Sequence, residues 1–324
     1  MSSNRIFRAL AVSIAALALC ACGNGDQPEK PDDKPVESAD LLICTFNIRY
    51  NEPADGQYAW DYRKDAVCKF ILTRQPDVLA LQEVQKDQAE FIVSKVKDEY
   101  GFYALGNETG KDILSGNSSE TSNAILYRKS RFDLLAKDSF WHNDPITEIP
   151  KKNKNNDYGN WHMAHPCGTS WVKLADKDNV GRTVWAFATH YINSKNTENA
   201  AGRRLQTSNI HLSAMPGIIG GAIGPGCKDP VFFMGDFNAK PDTEAITTLV
   251  NFPLCCARND AAKSGSRDSI TDNCFGQSGS QIIDYIFFCG PLKALTYTVD
   301  KRDYGIFYIS DHYPVLSEFS YSDK

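Results

Sequence analysis

The stretch from Val231 to Asp242, with the sequence VFFMGDFNAKPD, constrains the fold more than any other part of the chain. Its four consecutive apolar residues, which follow Pro230 and precede Gly235, are typical of a short strand buried on both faces. Such a strand would deliver Asp236 and Asn238 together at its carboxyl end, because side chains two residues apart in an extended chain point to the same face. Ligands of open α/β sheets bind at such strand ends. A turn or a helix cap is the structural alternative for this Asp and Asn.

The amino-terminal residues differ in kind from the rest of the chain. Arg5 and Arg8 precede an apolar run from Ala9 to Ala21, which has the length of a signal-peptide core and is too short for a membrane-spanning helix. The run ends in a segment that resembles the cleavage box of bacterial lipoproteins. A small alanine precedes Cys22, whereas a bulky leucine precedes Cys20, so Cys22 is the predicted lipidation site. A plain secretory signal is the alternative.

The domain boundaries follow from the composition of the next segments. Residues 1–22 are the predicted lipoprotein signal peptide, and residues 23–39, rich in Pro, Asp, Glu and Lys, are a predicted flexible tether. Residues 40–322 contain no internal repeat or linker, and 42% of the whole chain is hydrophobic, so one domain with a packed core is expected. We expect an exported monomer on the periplasmic or cell-surface side of a membrane, attached through its lipid anchor only.

The charge balance limits the partners that the chain could attract. Loss of Arg5 and Arg8 with the signal peptide would change the formal net charge from −5 to −7. A surface of that sign does not attract polyanions from a distance, so long nucleic acid is not favoured as a partner. Lys151 to Lys154 and the pair Arg203-Arg204 are the local basic segments that could still form a patch.

The cysteines divide into two groups by their surroundings. Eight of the ten lie beyond Cys22, and an exported protein can form disulfides. Cys44 and Cys289 lie in apolar, strand-like runs and are predicted to be buried free thiols. The better candidates for bridges lie in loop-like sequence and are Cys227, Cys255, Cys256 and Cys274. Several pairings remain open at this point.

Apolar runs and helix signals alternate near the start of the domain. Leu41–Phe46 is a predicted strand that ends in Asn47, and Asp61 could cap the helix that follows. Asp77–Leu81 is a second predicted strand with Glu83 at its tip, and a second helix comes next. Beyond residue 100 strands dominate, and residues 142–165 form a long polar loop of the kind that is functional or disordered. A later helix begins near residue 196, and its predicted inward side contains Ala201, Leu205, Leu212 and Met215.

Polar side chains terminate or interrupt most of the apolar strands. They are Asn47, Glu83, His190, Asp236, Asn238, Asp284, Asp311 and His312. Each alone has a structural explanation, such as a turn for an Asp or core packing for a His. Together these acids, amides and imidazoles are the inventory of a hard-cation site that handles phosphate. Magnesium takes few protein carboxylates and keeps several waters, so Asn47 and Glu83 would suit it.

Six short blocks resemble, in the same order, those of the endonuclease/exonuclease/phosphatase family of deoxyribonuclease I-like enzymes. The blocks are TFNI at 45–48, LQEV at 81–84, TH at 189–190, GDFN at 235–238, IDYI at 283–286 and SDHYPV at 310–315. The resemblance runs from about residue 41 to 320. The segment from Arg49 to Lys64 is also similar to secreted bacterial members of the family that are often lipoproteins.

The resemblance implies both a fold and a metal-dependent activity. The implied fold is α+β, a four-layer sandwich of two packed, mainly antiparallel sheets flanked by helices. The implied activity is hydrolysis of a phosphate ester, most often a phosphodiester, by in-line attack of water with Mg²⁺ or Mn²⁺ and without a covalent enzyme intermediate. Asn47 and Glu83 would hold the metal, and Asp311 would lend a further contact.

The same resemblance implies roles for the remaining polar residues. Asp236 would orient or deprotonate the attacking water, and Asn238 would bind a phosphate oxygen. His312, held by Asp284, would act on the phosphate or the water, with the carboxylate fixing its tautomer. His190 would contact the phosphate or help to protonate the leaving oxygen.

Three departures from the family pattern point to altered substrate recognition. Ile192-Asn193 stands where related secreted members commonly have Asp-His, and Cys167 stands where they often have Arg. Residues 272–276 replace a Phe-His-Gly turn. Two alternatives to a phosphodiesterase remain: a nuclease that acts on DNA or RNA, and a non-catalytic lipoprotein that binds a phosphate ligand or a partner on the same fold.

Overall fold

The computed structural model of this protein describes residues 38–153, 158, 165–193, 199–251, 254–277 and 279–323. The predicted signal peptide, most of the predicted tether, Cys22 and Lys154 lie outside these residues. In the described ranges, none of the helices combines the length and the apolar character that crossing a membrane requires.

The described part of the chain contains fourteen strands and five α-helices. The strands are β1 (Leu41–Asn47), β2 (Val78–Val84), β3 (Tyr100–Tyr103), β4 (Ser122–Arg128), β5 (Phe132–Trp141), β6 (Gly168–Asp176), β7 (Thr183–His190), β8 (Val231–Asp236), β9 (Cys255–Cys256), β10 (Lys263–Ser264), β11 (Asp284–Cys289), β12 (Leu292–Ala294), β13 (Thr296–Val299) and β14 (Val315–Tyr321). The helices are α1 (Trp60–Arg74), α2 (Lys86–Val96), α3 (Ala200–Ile219), α4 (Glu244–Asn251) and α5 (Ala257–Asp260). Short 3₁₀ helices occupy Pro53–Tyr58 and Cys274–Gly276.

The strands form two sheets. The first has the order β10-β13-β14-β1-β2-β4-β3, with β12 also paired to β14, and the second has the order β5-β6-β7-β8-β11-β9. Most neighbours are antiparallel, and the parallel pairs among the described strands are β1–β2, β7–β8 and β10–β13. Both sheets therefore combine distant parts of the chain.

The sheets pack face to face, because both present buried apolar side chains to a shared core. Ile43 and Ala80 of the first sheet lie in one cluster with Ala186 and Met234 of the second. Buried strands with apolar residues on both faces need a further layer on the outside, and helices supply it.

The outer face of each sheet is covered by helices. Leu79 of β2 lies in a buried cluster with Phe70 of α1, and Phe233 of β8 lies in another with Met215 of α3. The layers are therefore helix, sheet, sheet and helix, and the predicted four-layer sandwich is confirmed.

Glu83 lies near the carboxyl end of β2, as predicted, with Val84 beyond it. Its φ is 61°, and the pairing of β2 with β4 shifts register between Leu81 and Val84. A left-handed backbone is costly for a residue with a side chain, and such outliers persist where the surroundings enforce them. The bulge re-aims this carboxylate out of the regular alternation of the strand.

Two helix predictions are corrected. Asp61 does not cap α1, because the helix begins at Trp60 and the residue before it is Ala59; Asp61 is exposed in the first turn and pairs with Lys64. On α3 the buried side is more polar than predicted. Met215 is buried and Leu212 packs against the core, as expected. The other buried residues are Ala200, Thr207, Ser208 and His211, whereas Leu205 is half-buried and Ala201 is exposed.

The eight cysteines of the described residues are free thiols. Cys44 and Cys289 are buried, as their apolar strands predict. Of the four bridge candidates, Cys255 and Cys256 lie in β9 rather than in a loop, and Cys256 is buried there. No disulfide joins any of the four in the structure.

Candidate active site

Strand pairing places three of the predicted residues in one row. The parallel pairing of β7 with β8 sets His190 opposite Asp236, and the antiparallel pairing of β8 with β11 sets Asp236 opposite Asp284. The ends of three strands that lie far apart in sequence therefore meet at one end of the second sheet's neighbouring strands. Asp236 and Asp284 are buried, and His190 is half-buried.

His312 lies between the two carboxylates of this row. Its Nδ1 is 2.9 Å from Asp284 Oδ2, and its Nε2 is 3.7 Å from Asp236 Oδ2. Burial alone would lower the pKa of His312, but the charges of Asp284 and Asp236 outweigh burial and raise this pKa well above its usual value. The site therefore favours an imidazolium at neutral pH.

Asp236 is the residue that most groups of the site contact. Its Oδ2 accepts a hydrogen bond from Asn47 Nδ2 at 3.1 Å and lies 3.3 Å from His190 Nε2. Burial would raise the pKa of Asp236, but His190 and His312 oppose it, and the net effect lowers this pKa to about 2. Asp236 is therefore held as a carboxylate at neutral pH.

Asn238 reaches the site through a turn and not through an extended strand. Its φ is 48°, and its backbone N–H donates to Asp236 Oδ1 at 2.8 Å, as in an Asx turn. Its side-chain Nδ2 donates to the carbonyl of Tyr191 and contacts His190 Nε2, both at 2.9 Å. The expectation of strand alternation is wrong here, and the turn alternative describes the backbone, yet the amide lies among the site residues.

The proposed metal ligands lie beside this cluster. Asn47 Nδ2 donates to Glu83 Oε1 at 3.2 Å, and Tyr50 N donates to Glu83 Oε2 at 3.0 Å. Asp311 Oδ1 accepts a hydrogen bond from Ser310 Oγ at 3.1 Å. Burial and the charge of Glu83 raise the pKa of Asp311 to about 6, against the opposing effect of His312. The charge of Glu83 makes ionisation of Asp311 more costly, and a nearby cation would relieve that repulsion.

The donor chemistry distinguishes two sets of groups that could hold a metal. Asn47, Glu83 and Asp311 offer oxygen atoms, which hard cations such as Mg²⁺ and Mn²⁺ prefer. Ligand atoms of Asp236, Asp284 and His312 also lie within 4.8 Å of one another. In that second set, His312 Nδ1 and Asp284 Oδ2 are already hydrogen-bonded to each other. By donor type the oxygen set fits a magnesium-like ion better. Its Asn47 Oδ1 accepts a hydrogen bond from the N–H of Arg49 at 2.9 Å, and Asn47 presents its Nδ2 to Glu83.

A cavity of about 440 Å³ opens next to these residues. Its described lining residues are Arg49, Tyr50, Glu83, Gln85, Asn107, Glu108, Ser119, Thr121, His165, Pro166, His190 and Asn193. Most of them carry amide, hydroxyl or charged side chains. Arg49 and His165 are functional candidates that the strand-end pattern missed.

Arg49 follows the first strand block directly, which is a signal that could have identified it. Its Nε and Nη2 each lie 3.0 Å from an oxygen of Asp55, and its Nε is 3.8 Å from Asp311. The buried Arg63 holds this loop in place. Arg63 donates to the carbonyls of Tyr58 at 2.8 Å and of Arg49 at 2.7 Å, and also to the carbonyl of Ile48.

The three departures from the family pattern lie close to the site. Cys167 is buried and does not line the cavity, but its neighbour His165 does. Ile192 is buried, whereas Asn193 lines the cavity. In the turn at 272–276, the N–H of Asn273 donates to the carbonyl of Asp311 at 2.6 Å. This turn therefore supports the segment that carries Asp311 and His312.

Comparison with known proteins matches this chain to one family. The model of the Endonuclease/Exonuclease/phosphatase family matches residues 44–312. A curated relative, the CCR4-Not complex 3'-5'-exoribonuclease subunit Ccr4 of Saccharomyces cerevisiae, is 23% identical over 300 residues, which cover 81% of this chain and 35% of that protein. The chain spans between about a fifth and two fifths of the length of the first curated relatives that it matches.

Two similar solved structures come from Bacteroides. The endonuclease/exonuclease/phosphatase from Bacteroides vulgatus is 25% identical with a TM-score of 0.72, and the match covers 87% of this chain and 98% of that chain. A mannosyl-6-phosphatase from Bacteroides thetaiotaomicron VPI-5482 is 21% identical with a TM-score of 0.72, covering 87% of this chain and 100% of that chain. The second likeness is evidence for the fold alone.

Proposed function

This chain belongs to the endonuclease/exonuclease/phosphatase family and is a hydrolase of that family, and from that premise we propose that it is a metal-dependent phosphoesterase. The reaction proposed is in-line attack of an activated water on a phosphate ester, most readily a small phosphodiester. One observation carries the proposal. The carboxylate of Asp236 is contacted by Asn47 at 3.1 Å and by His190 at 3.3 Å, with His312 at 3.7 Å, at the edge of a polar cavity. A structural turn needs none of these contacts.

Asn47, Glu83 and Asp311 would hold the metal ion, Mg²⁺ or Mn²⁺. When bound there, such an ion would neutralise charge on the phosphate oxygens and favour ionisation of water. The protein's own part is to keep Glu83 ionised. Burial would raise the pKa of Glu83, but His190, Arg49 and the N–H of Tyr50 lower it below its usual value.

The other side chains would position and activate the reacting groups. Asp236, held as a carboxylate, would orient the attacking water or deprotonate it. Asn238 and His190 would contact phosphate oxygens. Asp284 would keep the His312 imidazole oriented and protonated, so that positive charge faces the developing negative charge of the transition state.

The cavity lining supports a small polar phosphate ester over long nucleic acid. Among the described residues that line it, Arg49 is the only Lys or Arg, and Asp55 already binds its guanidinium. The one Tyr, Phe or Trp ring of the described lining is that of Tyr50, and the Arg49 guanidinium covers it at 4.3 Å. Proteins that bind single-stranded nucleic acid do so with tracks of cationic side chains and exposed aromatic rings. Amides and hydroxyls suit a small hydroxylated group, such as that of a sugar phosphate.

The amino-terminal sequence supports an exported lipoprotein. We propose that Cys22 carries the lipid and that the catalytic domain is a monomer attached to the membrane through that anchor. The domain would then act in the periplasm or on the cell surface.

A substrate screen of the full chain tests the proposed activity. Phosphate release and product formation would be measured with Mg²⁺ or Mn²⁺ on model phosphodiesters, model monoesters, hexose phosphates, RNA and DNA. We expect turnover of at least one small ester, its loss on addition of a chelator, and its loss in Asp236→Asn. A wild-type protein that binds phosphate esters but turns none over would favour the non-catalytic alternative.

A further inference from the structure

A histidine that the proposed mechanism does not use lies in the wall of the same cavity. His165 lines this cavity together with Glu83, Arg49 and His190. Glu83 is a proposed metal ligand, and His190 contacts Asp236, so a substrate phosphate that reached both of them would lie in the space that His165 borders.

The contacts of the His165 ring determine which nitrogen is left for the cavity. Nδ1 lies 3.3 Å from the carbonyl of Pro166 and 3.6 Å from the sulfur of Cys167. Cys167 is buried, and its sulfur contacts the ring through Nδ1. Both contacts use Nδ1, and among the described residues Nε2 has no hydrogen-bond partner, so Nε2 is the ring nitrogen available to a ligand.

The protonation state of the ring decides whether Nε2 is a donor. If the thiol of Cys167 donates to Nδ1, the neutral ring carries its proton on Nε2. If the ring is charged, both nitrogens carry protons and Nδ1 donates to Pro166. In both of these states Nε2–H can donate to an anionic oxygen, whereas a neutral ring protonated on Nδ1 would donate to Pro166 and leave Nε2 an acceptor.

The charges around the cavity are compatible with His165 acting as a donor to an anionic oxygen. Arg49 is bound through two nitrogens by Asp55 at 3.0 Å and lies 3.8 Å from Asp311, so its charge is already largely compensated. Cys167 and the nearby Glu83 raise the pKa of His165 to about 9, while burial opposes this. His165 is therefore suited to supply a positive hydrogen-bond donor.

We propose that His165 binds the substrate by donating a hydrogen bond from Nε2 to a non-bridging oxygen of its phosphate, and that Cys167 is a positioning residue that holds the ring. The inference rests on the proposed function, because it assumes that the phosphate lies in this cavity. It also explains why Cys167 itself does not face the cavity.

Two isosteric substitutions separate this role from a structural one. The side-chain amide of Gln can place its nitrogen near the position of Nε2, whereas that of Asn reaches only the position of Nδ1. Inorganic phosphate would be titrated calorimetrically into the full chain, wild type, His165→Gln and His165→Asn, at a fixed Mg²⁺ concentration. Thermal unfolding and Mg²⁺ affinity would be measured on the same samples.

We expect His165→Asn to weaken phosphate binding by about ten- to a hundredfold, the effect of one hydrogen bond to a charged group, with unfolding temperature and Mg²⁺ affinity unchanged. His165→Gln should retain clearly more affinity, and Cys167→Ala should weaken binding by less than His165→Asn does. Equal phosphate affinity in wild type and His165→Asn would overturn the proposal, as would equal losses in Asn and Gln variants. Absence of phosphate binding to the wild type would overturn it too. The esterase screen is a separate measurement, so failure of the proposed function would be seen independently as an absence of turnover.

Discussion

His312 Nδ1 lies 2.9 Å from Asp284 Oδ2 in a buried site. This contact turns the other ring nitrogen, Nε2, towards Asp236. The two partners come from β11 and from the segment before β14, which belong to different sheets. The imidazole therefore lies where the two sheets meet at the edge of the sandwich. A carboxylate behind the ring fixes its tautomer and stabilises its positive charge.

Replacing Asp284 by Asn should remove most of the turnover and leave metal binding nearly unchanged. An amide can donate to Nδ1 as well as accept from it, so it neither fixes the tautomer nor stabilises the imidazolium. In a Ser-His-Asp triad the equivalent substitution lowers kcat by about 10⁴-fold. Steady-state kinetics on a model phosphodiester, with Mn²⁺ affinity measured by calorimetry, would check this. An unchanged kcat would show that Asp284 does not orient His312 for catalysis.

The substitution Glu83→Gln should abolish activity by weakening the metal site without unfolding the protein. A neutral amide binds a hard dication far less well than a carboxylate, and even substitutions behind metal ligands cost about 10- to 100-fold in affinity. Glu108→Gln is a matched control, since Glu108 lines the same cavity but is exposed. Calorimetric titration of Mg²⁺ would separate the two variants. Equal Mg²⁺ affinity in both would remove Glu83 from the metal site.

Some of this site follows from local pattern, and some depends on contacts that no local pattern contains. Asn47, His190 and Asp236 end strands whose apolar runs are visible in the sequence, so their positions at strand ends are predictable. That His190, Asp236 and Asp284 lie side by side depends on strand pairing between residues far apart in the chain. The ordered blocks suggested this association only through their resemblance to a family.

Other features were missed for identifiable physical reasons. The positive φ of Glu83 comes from a bulge against β4, so an alternating pattern could not reveal it. The buried side of α3 includes His211, which contacts Thr169 Oγ1 at 2.7 Å. A helix face that is buried through hydrogen-bonded polar residues cannot be recognised from hydrophobic periodicity. His165 sits in a polar loop where no periodic signal exists.

Cys22→Ser should release the protein from membranes into the soluble fraction. The lipoprotein-like box before Cys22 motivates this expectation, and stable anchoring depends on the acyl chains that processing adds. Cys20→Ser is the matched control and should leave the protein with the membranes. Mass spectrometry of the mature amino terminus would check the modification directly. An unmodified terminal residue in the wild type would rule out lipidation.

Replacing the buried Arg63 by Met should destabilise the fold and weaken the site. Its guanidinium donates to the carbonyls of Ile48, Arg49 and Tyr58, and each buried acceptor left unpaired costs about 1–3 kcal/mol. A loss of at least about 3 kcal/mol should lower Tm by several degrees, at about 2–4 °C per kcal/mol in a large domain. Arg63→Lys, with three donors on one nitrogen, should lose less. Calorimetric unfolding would show the order, and equal Tm values for wild type and Met variant would contradict it.

The last prediction concerns the dependence of stability on pH through Asp176, which is not one of the proposed site residues. Asp176 Oδ2 accepts hydrogen bonds from Tyr321 OH at 2.6 Å and from Arg131 Nη2 at 3.0 Å. Burial would raise the pKa of Asp176, but these two donors outweigh burial, so the folded-state pKa lies below the usual value. The carboxylate therefore stabilises the folded state fully above its unfolded pKa of about 3.9, and this stabilisation is lost as the pH falls through the lower folded value. Asp176→Asn lacks it at every pH. The Tm difference between wild type and Asp176→Asn should consequently be large at pH 7 and shrink below about pH 4, which differential scanning calorimetry across that range would measure. A difference that stays constant down to pH 3 would mean that Asp176 titrates alike in the folded and unfolded states.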